Sequence, residues 1–230
     1  MKFNSIILTI SLVFSCFLAS RNDGNMCIFL YDINDLVNSS SEFCITLSKK
    51  EENTTKLGKV SVKKKKKVTG YIYIGDSRFV GMDNVCKVSK EKNTFVVAKV
   101  GQGYKWFTDT ALGEVNKIKS SNKNINNWVL VIGLGVNDLG NCDKYIKRYK
   151  SLSKTNNIVL VSVNPIEKHK YITNKDISDF NTKLKSIDKI KYIDTYSYLV
   201  SNSYSTTDGL HYTNSTYNSI FKYIKKNLNN

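Results

Sequence analysis

Five short apolar, β-prone runs alternate with stretches of helical spacing, and this alternation constrains the fold more than any other feature of the chain. The runs are Tyr71–Ile74, Phe95–Val100, Trp128–Leu134, Ile158–Val163 and Tyr192–Ile193. Between and after them, Phe107–Ile118, Tyr145–Leu152, Ile177–Ile187 and Tyr217–Leu228 carry apolar residues at helical intervals. A strand that is apolar on both sides must be covered on both faces, and helices between strands supply the cover. The pattern predicts an α/β fold, a three-layer α/β/α sandwich around a five-stranded parallel sheet. Spacing alone does not choose between flavodoxin-like and Rossmann-like strand orders. With 230 residues, 41% of them hydrophobic, the chain can bury a core of this kind, which excludes global disorder.

The N-terminal part has a different texture. Residues 1–20 join Lys2 to a nearly unbroken apolar run, Ile6–Ala19, ending in small residues before Arg21, the anatomy of a secretory signal peptide. Residues 21–67 are rich in Lys, Asn and Ser and end in Lys63–Lys67, where five adjacent like charges repel and stay solvated; this reads as an N-terminal extension. The domain proper is expected over 68–230, in a secreted or cell-surface protein with no transmembrane segment once the leader is removed. Outside the cell, Cys27, Cys44, Cys86 and Cys142 could form disulfides in any of three full pairings or remain buried thiols. No CxxC or Cys/His pattern suggests a metal, and no cofactor is implied.

Net charge is +16, and residues 68–230 hold 24 basic and 13 acidic side chains, +11 by themselves. Such a surface favours an anionic cell-surface polymer, with no sign of specific nucleic-acid reading; a merely solvated lysine-rich surface is the plainer alternative.

In sheets of this class chemistry gathers where strands end. After the first strand comes Gly75-Asp76-Ser77-Arg78, which would place a serine at the mouth of a helix, where backbone N–H groups can face an anion. The same residues could simply cap that helix. After the second strand comes Gly101-Gln102-Gly103, and after the third Gly135-Val136-Asn137-Asp138. An asparagine amide aimed into the cleft can donate to developing negative charge, although Asn137-Asp138 could instead cap the next helix. Asp208-Gly209-Leu210-His211 stands directly before the last helix. That spacing lets a carboxylate hold an imidazole in the tautomer that deprotonates a serine.

Taken in order, these four blocks resemble those of the SGNH hydrolases, also called GDSL-like, over about residues 68–230. The resemblance implies a flavodoxin-like sheet and ester hydrolysis without a metal. By position, Ser77 matches the nucleophile, His211 the general base and Asp208 the acid that orients it. Ser77, Gly103 and Asn137 match the oxyanion-hole donors, with Gly103 preferred to Gly101 for its distance from Val96-Val97. Arg78 departs from the common GDSL form and is similar to a GDSR version in bacterial subgroups; it would either meet an anionic substrate group or lie as charge on the helix surface. Tyr104, Trp106 and Phe107 would stack on a sugar, with helix-core packing an equal account of Trp106 and Phe107. The expected substrate is an ester-bearing small molecule or an acetylated glycan. The reactions expected are short-chain ester hydrolysis, notably O-deacetylation, or, as rivals, O-acetyl transfer with the same triad, lysophospholipase or lipase action, and non-catalytic glycan binding.

Overall fold

The computed structural model describes residues 15–22, 25–32 and 66–228. Ser15–Asn22 (β1) and Asn25–Asp32 (β2) form an antiparallel hairpin in which Asn22 faces Asn25. Most of the expected leader and extension falls outside the described residues. The chain divides into two units, Met1–Lys65 and Lys66–Asn230.

Each of the five apolar runs overlaps a strand. These are β3 (Thr69–Gly75), β4 (Thr94–Ala98), β5 (Asn127–Gly133), β6 (Asn157–Val161) and β7 (Lys191–Ile193). All neighbours pair in parallel, in the order β4-β3-β5-β6-β7. This is the flavodoxin-like order, the choice that spacing left open.

Alternation along the strands divides the core in two. Ile72, Ile74, Leu130, Ile132, Ile158 and Leu160 point to one face, while Tyr73, Val129, Val131, Val159 and Val161 point to the other. The first face is covered by a helical stretch running from α2 (Tyr104–Trp106) through a wider π turn at Phe107–Ala111 into α3 (Leu112–Ser121), then by α4 (Cys142–Leu152) and α5 (Asn174–Lys185). The second is covered by α1 (Ser77–Cys86), α6 (Thr195–Asn202) and α7 (Asn214–Leu228). Helix α6 has no counterpart among the periodic stretches of the sequence. It spans 8 residues and buries only Thr195 and Leu199, too short a repeat to register as periodicity.

Trp106 and Phe107 are buried in the first core, which decides for packing over sugar stacking at those two positions. Cys86 and Cys142 are free thiols on separate helices. Among the described residues no helix is long and apolar enough to cross a membrane.

The strand order reverses direction of growth at β3, because β4 lies on one side of it and β5 on the other. Gly75 at the end of β3 pairs in register with Ala98 of β4 and Gly133 of β5. The segments leaving these three strands therefore emerge side by side, and they hold the first three sequence blocks.

Candidate active site

Ser77 is the first residue of α1, and Asp76 is its N-cap, accepting the Arg78 N–H at 2.9 Å. At that position the Ser77 N–H has no acceptor within the helix and the positive end of the helix dipole lies behind it, a setting that favours an anion. The Ser77 Oγ lies 2.9 Å from His211 Nε2, although 134 residues separate the two in sequence.

His211 sits in the loop before α7. Its Nδ1 lies 2.7 Å from Asp208 Oδ2, and Asp208 Oδ1 accepts the backbone N–H of both Leu210, at 2.9 Å, and His211, at 2.7 Å. A carboxylate only accepts, so Nδ1 carries the proton and Nε2 is left to accept from the serine hydroxyl. The His211 backbone N–H, then its ring, then the Leu210 N–H hold the Asp208 carboxyl down at about 2. Gly209 makes the turn possible. Its φ is +89°, and a Cβ there would come within 2.3 Å of the Lys168 carbonyl oxygen. The Gly209 carbonyl in turn accepts from the N–H groups of Glu167 and Lys168, which ties the acid–base loop to the segment after β6.

The loops after β4 and β5 are also joined. Asn137 Nδ2 donates to the Gln102 carbonyl at 2.8 Å, leaving its second amide hydrogen for another acceptor. Asp138 does more than follow Asn137: it stands at the N-cap position of the short 3-10 turn Leu139–Asn141 without a side-chain capping bond there, and its carboxylate is engaged elsewhere. Its carboxylate accepts from the Tyr104 N–H (2.7 Å), Asn141 Nδ2 (3.0 Å) and the Tyr145 hydroxyl (2.9 Å). Gly103 is held against it so closely that a Cβ would meet Asp138 Oδ2 at 2.4 Å, whereas the same atom on Gly101 would meet nothing within 4 Å. The second loop is therefore seated through Gly103.

Two side chains differ from the sequence expectation. Arg78 is neither surface charge nor turned toward a substrate. It is 6% exposed, its Nη1 donates to the Asn164 carbonyl at 2.7 Å, and its guanidinium lies over the Tyr212 ring. Tyr104 is half-buried, edge-on to Tyr145 with ring centres 5.2 Å apart, so part of its ring belongs to the core. His169 lies beside the exposed Tyr171 and takes no part in the relay.

No protein-family model and no curated protein matches this sequence. Solved structures do match. The C-terminal catalytic domain of peptidoglycan O-acetyltransferase A from Streptococcus pneumoniae aligns with a TM-score of 0.54 and 20% identity, covering 71% of this chain and 94% of that one. A member of the lipolytic G-D-S-L family from Veillonella parvula aligns at 0.51 and 16%, covering 69% and 97%. A protein described as an SGNH hydrolase from Slackia heliotrinireducens aligns at 0.53 and 10%, covering 71% and 100%. The chain has the SGNH hydrolase fold. In that fold the four sequence blocks occupy the carboxyl edge of the sheet and the loop before the last helix.

The residues that local sequence patterns did not single out are those behind the site. Asp138 bridges two loops, Asn164 receives Arg78, and Tyr145 donates up from the core. Each has an ordinary local context; Asp138 and Tyr104 are 34 residues apart and Arg78 and Asn164 86, while Tyr145 reaches back 7 residues to Asp138.

A groove of about 510 Å³ opens beside Asn137, bordered by Leu139, Tyr171, Ile172, Asp179 and Lys183. Tyr171 is 77% exposed on its rim.

Proposed function

We propose that this protein is a secreted serine esterase that removes short acyl groups, acetyl above all, from a carbohydrate or cell-wall glycan. The observation that carries the reading is the unbroken relay from Asp208 through His211 to Ser77, with contacts of 2.7 and 2.9 Å. Ser77 Oγ attacks the ester carbonyl while His211 Nε2 takes its proton. The carbonyl oxygen gains the negative charge, with the amides of Ser77 and Gly103 and the Asn137 side chain as its donors. His211 then returns the proton to the departing alcohol. Water, deprotonated in turn by His211, cleaves the acyl-serine and releases the acid.

The groove supports the substrate class. Its rim holds Asp179, Lys183 and the exposed Tyr171 ring beside Leu139 and Ile172, a mixture of polar and apolar groups suited to a sugar, whose ring has hydroxyl edges and apolar faces. The +16 charge supports attachment to an anionic wall polymer.

Hydrolysis of p-nitrophenyl acetate, butyrate and octanoate, beside the Ser77→Ala variant, tests the reading. Acetate is expected to be preferred, with activity lost in the variant. Preference for octanoate would point to lipase action and sink the glycan reading. The same relay can pass an acyl group to a sugar hydroxyl, the reaction in the name of the Streptococcus pneumoniae neighbour. Acetylated sugar formed in excess over free acetate would identify transfer.

A further inference from the structure

We infer that Arg78 is a positioning residue for this site: its buried guanidinium ties the helix of Ser77 to the segment of His211 and places a positive charge beside Asp76. This role rests on the reading of Ser77 and His211 as nucleophile and base.

Arg78 directly follows Ser77, and Tyr212 directly follows His211. The guanidinium carbon lies 5.3 Å from the Tyr212 ring centre, within cation–π range. The Tyr212 hydroxyl donates to the Pro165 carbonyl, next to the Asn164 carbonyl that receives Arg78 Nη1. Asn164 is itself anchored, since its Oδ1 accepts from Thr195 Oγ1, which also contacts Ser162 Oγ at 2.8 Å. One side chain thus bridges both halves of the Ser77–His211 contact from below.

The arrangement is a poor one for stability alone. Arg78 Nε and Nη2 are buried and donate to no protein acceptor, and a cavity of about 20 Å³ beside them is lined by Asp76, Ser162 and Asn164. A buried cation with unmade hydrogen bonds is costly, so its presence calls for another explanation. Asp76 supplies one. It is 2% exposed, its carboxylate caps the turn that carries Ser77, and burial pushes its carboxyl up to about 6. Arg78 on the same helix and His211 on the acid–base loop favour the carboxylate, while Asp138 after β5 opposes it. The phenols of Tyr145, Tyr149, Tyr212 and Tyr217 also face it, all raised by burial and so uncharged across the working range. Without the Arg78 charge the Asp76 carboxyl moves further up, into the neutral range. The turn that carries Ser77 then loses its ionised cap.

The test is the pH profile of kcat and KM on p-nitrophenyl acetate, from pH 5.5 to 9, for the full chain and its Ser77→Ala, Arg78→Met and Arg78→Lys variants. Arg78→Met is expected to lose about fivefold more of the wild-type kcat at pH 6 than at pH 9, because a carboxyl that holds its proton tenfold more tightly falls from about half to about a tenth ionised at pH 6 and stays ionised at pH 9. KM is expected to be unchanged. Arg78→Lys keeps the charge without the planar fork, so it is expected to keep the wild-type acid limb with a lower kcat at every pH. An equal fractional loss at all pH values in Arg78→Met, or no loss, overturns the inference. If Arg78→Met does not fold, as judged by near-UV circular dichroism, Arg78→Lys decides: wild-type kcat, or a change in KM alone, overturns it. Activity that survives Ser77→Ala removes the esterase reading itself, and the inference with it. Activity lost in Ser77→Ala but even across pH in Arg78→Met removes the inference only.

Discussion

Asp76 and Asp208 are two carboxylates of one site pushed in opposite directions, and the sign of each gives a separate expectation. Asp208 is held at about 2, below the ordinary value of 3.8, so its stabilising bonds are intact above pH 4 and fail only as pH falls toward 2. Because its side chain is half exposed, solvent screening keeps that contribution small. Its importance lies in orienting His211. Asp208→Asn is expected to lower kcat on the order of 10⁴-fold, as loss of the orienting acid does in serine triads, with the melting temperature nearly unchanged. Asp76 has the reverse sign. The unfolded chain releases this proton near 3.8 and the folded protein near 6, so stability falls as pH rises through that window. The difference corresponds to about 3 kcal/mol. Melting curves from pH 3.5 to 7.5 are expected to show a decline between pH 4 and 6 that is absent in Asp76→Asn. Asparagine can still accept the Arg78 N–H as a neutral cap.

At the scale of elements, the loops after β4 and β5 act as one piece because Asp138 holds both. Asp138→Ala is expected to cost about 1–3 kcal/mol, since it leaves the half-buried Tyr104 N–H and the buried Tyr145 hydroxyl without their acceptor. It is also expected to lower kcat by releasing the Gly103 loop. Denaturant midpoints with kcat measured on the same preparation check both, and unchanged kcat in a folded variant would leave Asp138 a purely structural part. The loop before α7 depends on Gly209 in the same way, through its +89° φ and the Lys168 carbonyl behind it.

Across the whole molecule, the relay joins the start of α1 to the loop before α7, and the packing of these helices on one face of the sheet fixes its length. Ile224 on α7 is fully buried there. Ile224→Ala is expected to cost about 2–5 kcal/mol by opening a cavity, read from the denaturant midpoint. What the sequence determined by itself was whatever short-range patterns express. Short apolar runs alternating with stretches of helical spacing located all five strands, because a strand buried on both faces must be apolar throughout. The residues of the proposed relay stood in short blocks, a serine after a strand and an aspartate three residues before a histidine, and the Ser77–His211 contact of 2.9 Å across 134 residues came only with folding. The tertiary structure alone decided the strand order, since the same alternation of elements fits more than one winding of the sheet. It alone turned Arg78 inward, seated Gly103 on Asp138 and raised Asp76. The partners at those positions include Asn164, Tyr212 and Tyr145, and no local pattern in the chain encodes which distant side chains folding will bring beside them.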